Sequence, residues 1–112
     1  MAKIVAVTGC PTGIAHTYMA AEMLESTGRA FGVEVIVETN GAIGIENRLT
    51  ELDIKEAIAV IIASDVRVDK ERFKGKRLIE VNVARAISDA TSLIEDALDS
   101  KYKMIDAFSQ ES

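Results

Sequence analysis

The chain has very little cysteine, histidine or tryptophan, and these shortages exclude several classes of protein. Its 112 residues include one cysteine, one histidine and no tryptophan. A single cysteine cannot form an internal disulfide or a two-cysteine redox pair, and one histidine beside it cannot complete a Cys/His metal cluster. Cys10 therefore either acts chemically through its thiolate or fills space in the core.

Long apolar runs and basic clusters are also missing. No run approaches the roughly 20 residues that a membrane-spanning helix needs, so we expect no direct membrane span. The apolar run Met1–Val7 stops at Thr8-Gly9, which predicts a strand and not a secretion signal, and we expect a cytoplasmic protein. The 13 basic residues are scattered among 18 acidic ones, which argues against a nucleic-acid partner.

Apolar residues, by contrast, are plentiful. They make up 48% of the chain, enough for one compact core without disulfides or metals. We expect a single domain over residues 1–108, followed by a polar, frayed tail over residues 109–112.

Strand-like and helix-like patterns alternate along the chain. Strands are predicted at four apolar runs: Ile4–Thr8, Val33–Glu38, Ala57–Ala63 and Lys76–Val81. Helices are predicted between and after these strands. Apolar residues recur at helical spacing in a first helix, at Met19, Ala20, Met23, Leu24 and Phe31. A short helix begins at Thr50, and a longer helical stretch begins at Val83 after the cap Asn82 and restarts near Ser88-Asp89. The segment 40–47 is expected to be a loop, and the charged segment ending at Arg72-Phe73 a loop or short helix.

This alternation predicts an α/β fold with a four-stranded parallel sheet. We expect a Rossmann-like sheet of order 2-1-3-4, with helices on both faces, the third run in the middle and the second at an edge. Ligands of such sheets bind beyond the carboxyl ends of the strands. The segments at those ends are Gly9-Cys10, Asn40-Gly41 and Ser64-Asp65.

The segment Cys10–Thr17 connects the first strand to the first helix, which makes it the candidate site. Backbone N–H groups at the start of a helix bind anions, and they stabilise a thiolate over a thiol. A thiolate at Cys10 could attack phosphorus while the same N–H groups hold the phosphoryl oxygens, with no metal or cofactor required. The candidate phosphate-binding residues are Pro11, Thr12, Gly13, Ile14, Ala15, His16 and Thr17.

Each of these residues also has a purely structural interpretation. Cys10 could be core filler, Thr12 or Thr17 a helix cap, and His16 an exposed polar residue. His16 nevertheless lies six positions after the cysteine, where thiol phosphatases of the Cys-x5-Arg type have an arginine. Histidine grips phosphate less firmly and titrates near neutrality, which favours holding and passing on a phosphoryl group over hydrolysing it.

Three motifs, in order, resemble one known family. They are Cys10–Thr17 (Cys-Pro-Thr-Gly-Ile-Ala-His-Thr), Glu38–Asn47 followed by Leu49-Thr50, and Arg72–Lys76 (Arg-Phe-Lys-Gly-Lys). Together they resemble the fructose-type enzyme IIB domain of the bacterial phosphoenolpyruvate-dependent sugar phosphotransferase system.

The resemblance implies a phosphocysteine intermediate. In that interpretation Cys10 takes phosphate from a histidine of enzyme IIA and delivers it to a sugar, expected to be fructose, bound by membrane enzyme IIC. The family's phosphate loop maps onto Pro11–Thr17. The domain would work in the cytoplasm, at the inner face of the membrane, through its contact with IIC. Asn40, Gly41 and Asp65 would then serve in partner docking or as the rim of the site, although the segment after Asn40 could be only a surface loop.

Two other functions stay open at this point. A low-molecular-weight thiol phosphatase shares the strand-cysteine-helix arrangement but needs an arginine where His16 stands. A non-catalytic module could sense a phosphate-bearing ligand without any covalent role for Cys10. A redox function is the weakest hypothesis, since Cys10-Pro-Thr-Gly13 lacks a second cysteine.

Overall fold

Five strands form the sheet of the computed structural model, which describes residues 2–11 and 14–99. They are β1 (Lys3–Gly9), β2 (Glu34–Gly41), β3 (Gly44–Glu46), β4 (Ala59–Ser64) and β5 (Leu78–Val81). Their order is β3-β2-β1-β4-β5, and β3 alone pairs antiparallel. The predicted α/β class and the order of the four parallel strands are confirmed, while the predicted count of four strands is wrong.

The fifth strand lies in the segment that was predicted to be a loop. β2 continues to Gly41, the chain turns through Ala42-Ile43, and β3 returns with Gly44 opposite Gly41. Gly44 has a φ of 109°, a conformation that glycine adopts without steric cost. All three residues of β3 are exposed, so no alternation of apolar and polar side chains marks it as a strand. The strand pairs only with the end of β2, which remains a sheet edge over its first half.

The helices are α1 (Ile14–Ala30), α2 (Glu51–Glu56), α3 (Val83–Ser88) and α4 (Ala90–Leu98), with a one-turn 3-10 helix at Glu71–Phe73. The predicted starts are confirmed by side-chain caps: Thr50 accepts from Asp53 N, Asn82 from Arg85 N, and Asp89 from Ser92 N. Within the described ranges, no helix is both long and apolar enough to cross a membrane. The predicted tail and the end of the predicted domain lie outside the described residues.

The core has two halves, one on each face of the sheet. Ile4 and Ala6 point from β1 toward α1, α3 and α4, whereas Val5 and Val7 point toward α2 and the segment that carries Phe73. Alternating side chains of a strand face opposite sides of the sheet, so β1, apolar at every core position, is covered on both faces. Helices therefore lie on both faces, as predicted.

The residues through which α1 packs against the sheet are smaller than those that the sequence pattern predicts. Ala20 and Leu24 are fully buried, but Met19 and Met23 are 47% and 39% exposed. The small side chains of Ala20 and Ala21 therefore pack against the sheet, and the two methionines are partly exposed to solvent.

Candidate active site

Cys10 follows β1 directly, at the carboxyl edge of the sheet. The residue before it, Gly9, pairs in register with Asn40 of β2 on one side and with Ser64 of β4 on the other. Cys10 itself is half-buried and packs against the half of the core that contains α1. The thiol thus lies at the end of the central strand, between the ends of its two neighbours.

The space around Gly9 admits no side chain. A Cβ at this position would lie 2.8 Å from Val66 Cγ2, 2.9 Å from Ser64 Oγ and 3.4 Å from Asn40 Cβ. The Gly9 carbonyl also accepts a hydrogen bond from Asp65 N at 2.9 Å. Glycine here lets the ends of β2 and β4 close around the start of the cysteine loop.

The loop itself is described only in part. Pro11 is exposed, Thr12 and Gly13 lie outside the described residues, and of Ile14 only the backbone is described. Because α1 begins at Ile14, the N–H groups of Ile14, Ala15 and His16 have no carbonyl partner four residues earlier within the helix. These donors start within a few residues of the Cys10 thiol.

The first turn of α1 is anchored to β1. Ala15 and His16 are exposed, whereas Thr17 is completely buried. The buried hydroxyl of Thr8 donates a hydrogen bond of 3.0 Å to the Thr17 carbonyl. This bond joins the strand before Cys10 to the helix after it, and so fixes both ends of the loop relative to each other.

Asp65, one of the predicted rim residues, has a structural role at the start of α3. Its Oδ1 accepts a hydrogen bond of 3.0 Å from Val83 N, the first residue of α3. Its backbone lies beside Gly9, so it borders the site, but its carboxylate is engaged at the start of α3. Asn40 and Gly41 border the site from the other side, at the end of β2.

Tyr18 directly follows the predicted loop, but no local sequence pattern marks it as a site residue. Its hydroxyl donates a hydrogen bond to Glu46 of β3 and lies 3.3 Å from where a Cβ on Gly41 would be. The bond to Glu46, together with partial burial and the negative charge of Glu46, raises the pKa of Tyr18, against a weaker opposing effect of the neighbouring Thr39 hydroxyl. The phenol stays neutral and can act as a donor.

Glu38 and Arg72 form a second contact that the sequence did not reveal. Arg72 donates to both carboxylate oxygens, at 2.9 and 2.6 Å, and Leu49 N donates a third bond at 2.8 Å. Although burial alone would raise the pKa of Glu38, these bonds and the charges of Arg72 and Arg48 lower it below its ordinary value. Glu38 is therefore a buried, paired carboxylate that ties β2 to the β4–β5 crossover.

The Arg72–Lys76 motif owes its composition to the same contacts. Phe73 is 2% exposed in the core, and the Arg72 guanidinium carbon lies 4.7 Å from the centre of its ring. Gly75 has a φ of 89°, and Lys76 Nζ donates to the carbonyls of Lys55 and Ala57 at 2.8 Å each. These contacts are structural, and the motif reaches β2, beside the site, through the pair of Arg72 with Glu38.

Elsewhere on the described surface, the candidates for a functional site are weaker than the cysteine loop. Over residues 2–11 and 14–99, no three His, Cys, Asp or Glu side chains are grouped so that they could hold a metal ion. An open cleft of about 1010 Å³ lies between the β4–β5 crossover and β5, and none of the described residues of the cysteine loop lines it. Its lining includes charged side chains of both signs, among them the ion pairs Lys70–Glu80 and Lys74–Glu71.

The fold and the site define a class: a mostly parallel α/β domain with a free cysteine between its central strand and the following helix. A family model described as "PTS system, Lactose/Cellobiose specific IIB subunit" matches residues 5–96. The chain belongs to this family of IIB components of the sugar phosphotransferase system, or PTS.

Individual relatives place the chain in the fructose-type branch. The PTS system fructose-like EIIB component 2 of Escherichia coli (strain K12) is 50% identical over 95 residues, which cover 84% of this chain and 90% of that protein. The fructose-specific EIIABC component of Bacillus subtilis (strain 168) is 52% identical over 96 residues, 86% of this chain. The 2-O-alpha-mannosyl-D-glycerate-specific EIIABC component of Escherichia coli (strain K12) is 53% identical over 96 residues, 85% of this chain.

The chain spans only 15% of the length of each of these two EIIABC proteins. A solved domain of the fructose-specific IIABC component of Borrelia burgdorferi matches with a TM-score of 0.84 and 48% identity, covering 86% of this chain and 92% of that one. The chain is thus a fructose-type IIB domain, which implies a phosphoryl-transfer role in the sugar PTS.

Proposed function

We propose that the domain carries a phosphoryl group on Cys10, from a phosphohistidine of enzyme IIA to a sugar bound by enzyme IIC. The position of the chain's single cysteine, at the carboxyl end of the central strand and before the first turn of α1, is the observation that carries the proposal. Relatives named EIIABC combine components A, B and C in one protein, which supports IIA and IIC as partners. In this proposal the domain works in the cytoplasm, beside the membrane component.

The transfer consists of two balanced steps. In the first, the Cys10 sulfur attacks phosphorus, the phosphorus–nitrogen bond of the phosphohistidine breaks, and the thiol proton passes in net terms to the released imidazole. In the second, a sugar hydroxyl attacks phosphorus, the sulfur–phosphorus bond breaks, and the hydroxyl proton restores the thiol. Neither step consumes a cofactor.

The loop Pro11–Thr17 supplies the phosphate-binding groups in this proposal. The N–H groups of the first turn of α1 hold the phosphoryl oxygens and stabilise the charge that develops during transfer. His16, exposed in that turn, takes the position of the arginine in thiol phosphatases. The buried Thr17 contributes by anchoring the turn, since its carbonyl is bonded to Thr8.

The β2–β3 hairpin serves as a docking surface for the IIA donor. Asn40 and Gly41 lead into it from the site, and its apolar residues Ile43 and Ile45 are 74% and 47% exposed. The hairpin follows the end of β2 next to Gly9, so a donor bound to it would lie beside the cysteine loop. Asp65 completes the rim from the β4 side, through its backbone.

Fructose is the proposed sugar, because most of the named relatives are fructose-specific or fructose-like. A relative named for 2-O-alpha-mannosyl-D-glycerate is equally similar, so the sugar is tested together with the transfer. The assay combines phosphoenolpyruvate, the general PTS components, IIA and IIC-containing vesicles with either wild type or Cys10→Ser. We expect sugar phosphate only with wild type and most with fructose. Sugar phosphate formed by Cys10→Ser would contradict the proposal, as would rapid steady-state hydrolysis of an aryl phosphate by wild type.

A further inference from the structure

Two neighbouring residues at the start of α1 are bonded to two different parts of the sheet. The Thr17 carbonyl accepts from Thr8 of β1, and the Tyr18 hydroxyl donates to Glu46 of β3. The first bond is buried and the second is at the surface, on the side of the β2–β3 hairpin. The turn that follows the cysteine loop is therefore held from two directions.

We propose that Tyr18 is a positioning residue for Cys10: its hydroxyl bond to Glu46 holds the first turn of α1 in register with the rim of the site. This inference rests on the proposed transfer through Cys10. Tyr18 does not touch the reacting atoms in this account. It acts by keeping the phosphate-binding N–H groups at a fixed distance from the thiol.

The ring of Tyr18 lies near Gly41, but its hydrogen bond depends on the hydroxyl. Gly41, at the end of β2, leaves room for this group, because a Cβ there would lie 3.3 Å from the phenol oxygen. The Thr39 hydroxyl lies beside the same oxygen. A phenylalanine would preserve the ring but lose the donor that faces Glu46.

The position of Glu46 depends on this hydrogen bond more than the position of a buried core residue would. All three residues of β3 are exposed, so no buried side chain within the strand fixes it. The hairpin is otherwise held by its backbone pairing with β2 and by Asn47 Nδ2, which donates to the Val37 carbonyl at 2.9 Å. The bond from Tyr18 is a side-chain contact that joins β3 to α1.

The bond also links two parts of the site. The hairpin carries the exposed Ile43 and Ile45, and α1 carries the phosphate-binding turn. A displacement of the hairpin relative to α1 would change where a docked donor lies relative to the thiol. Precise alignment of reacting groups makes a large contribution to transfer rates, so loss of this bond should slow the chemical step.

The test compares Tyr18→Phe, Glu46→Ala, Glu46→Gln and the double variant Tyr18→Phe/Glu46→Ala. The main readout is the single-turnover rate of phosphoryl transfer from phosphorylated IIA over a range of IIA concentrations. The second is the rate at which iodoacetamide alkylates Cys10 in the absence of phosphate. Glu56→Ala is the matched control, since Glu56 accepts a surface hydrogen bond from Lys3 at the amino end of the sheet.

We expect Tyr18→Phe and Glu46→Ala each to lower the saturating transfer rate about fivefold, the factor that corresponds to the net contribution of one hydrogen bond. The double variant should be no slower than either single variant, because both remove the same bond. Glu46→Gln keeps an acceptor oxygen and should stay within about twofold of wild type. Tyr18→Phe should also change the alkylation rate, and Glu56→Ala should change neither readout.

Additive losses in the double variant would overturn the inference, as would wild-type saturating rates in Tyr18→Phe. An increase only in the half-saturating IIA concentration would also overturn it, by assigning the bond to docking alone. If wild-type protein acquires no phosphoryl group on Cys10, the proposed function fails. The alkylation rates would then decide the positioning role independently.

Discussion

The carboxylate of Glu38 and the guanidinium of Arg72 form a two-bond ion pair across 34 positions of the chain. Glu38 is 2% exposed, whereas the Arg72 side chain is 26% exposed. The pair joins the second half of β2, which leads to Asn40, to the crossover that leads to β5. The rim of the proposed site therefore depends on a contact that lies outside the site.

Removing Arg72 should cost more stability than neutralising Glu38. Arg72→Ala leaves a buried carboxylate without its ion-pair partner, for which we expect a loss of about 3 kcal/mol in the free energy of unfolding. Glu38→Gln leaves a partly exposed cation that water can solvate, and should cost about 1 kcal/mol. Urea unfolding of both variants measures the difference. Lys74→Ala, which removes the exposed pair with Glu71, should change stability by less than about 0.5 kcal/mol. Equal losses in Arg72→Ala and Lys74→Ala would contradict this ranking.

The Glu38–Arg72 pair should make the free energy of unfolding depend on pH in the acid range. Folding lowers the pKa of Glu38, so the folded state binds this proton less readily than the unfolded state. The stabilisation is fully present above the ordinary value of 4.5 and is lost as the pH falls through the lower pKa of the folded state. Unfolding of wild type and Glu38→Gln, compared from pH 7 down to about pH 3, should show the advantage of wild type shrinking below about pH 4.5. An advantage that grows on acidification would contradict the assignment.

Gly9→Ala should disturb both the fold and the site. The added methyl group would lie 2.8 Å from Val66 Cγ2, too close for any real contact. We expect a loss of about 1–3 kcal/mol in the free energy of unfolding, together with slower transfer through Cys10. Adding Val66→Ala removes the nearest clashing atom and should restore part of both losses. A Gly9→Ala protein with wild-type stability and transfer rate would show that the ends of β2 and β4 do not need to close around this residue.

The hairpin tip should govern the affinity for the IIA donor. Ile43→Ser removes a side chain that is 74% exposed, so we expect little change in stability and about a tenfold rise in the half-saturating IIA concentration at an unchanged saturating rate. Ile58→Ser is the control, because Ile58 is 41% exposed and precedes β4, at the amino end of the sheet. An equal effect of the two variants, or none for Ile43→Ser, would exclude the hairpin as the docking surface.

The parts of the fold that local patterns determine could be predicted. The uninterrupted apolar run ending at Ala63 is typical of a central parallel strand, and β4 indeed lies between β1 and β5. The helix starts at Thr50, Asn82 and Asp89 carry side chains that cap a helix within three residues. The position of Cys10 at the end of β1 follows from the same local signals.

The parts that depend on distant contacts could not be predicted. Glu38 and Arg72 lie 34 positions apart, and Tyr18 and Glu46 lie 28 apart, so neither pair leaves a periodic signal. β3 has only three residues, all exposed, and its pairing comes from the turn after Gly41 rather than from burial. The exposure of Met19 similarly follows from how closely the alanines of α1 approach the sheet.

The most direct test of the central claim is the location of the phosphoryl group on the protein. The full chain is incubated with phosphoenolpyruvate, the general PTS components and IIA, then examined by intact mass and by peptide mapping under conditions that preserve phosphocysteine. We expect the mass of one phosphoryl group, located on Cys10 and absent from Cys10→Ser. A phosphoryl group on His16 or on any other residue, or none under any donor condition, would contradict the account.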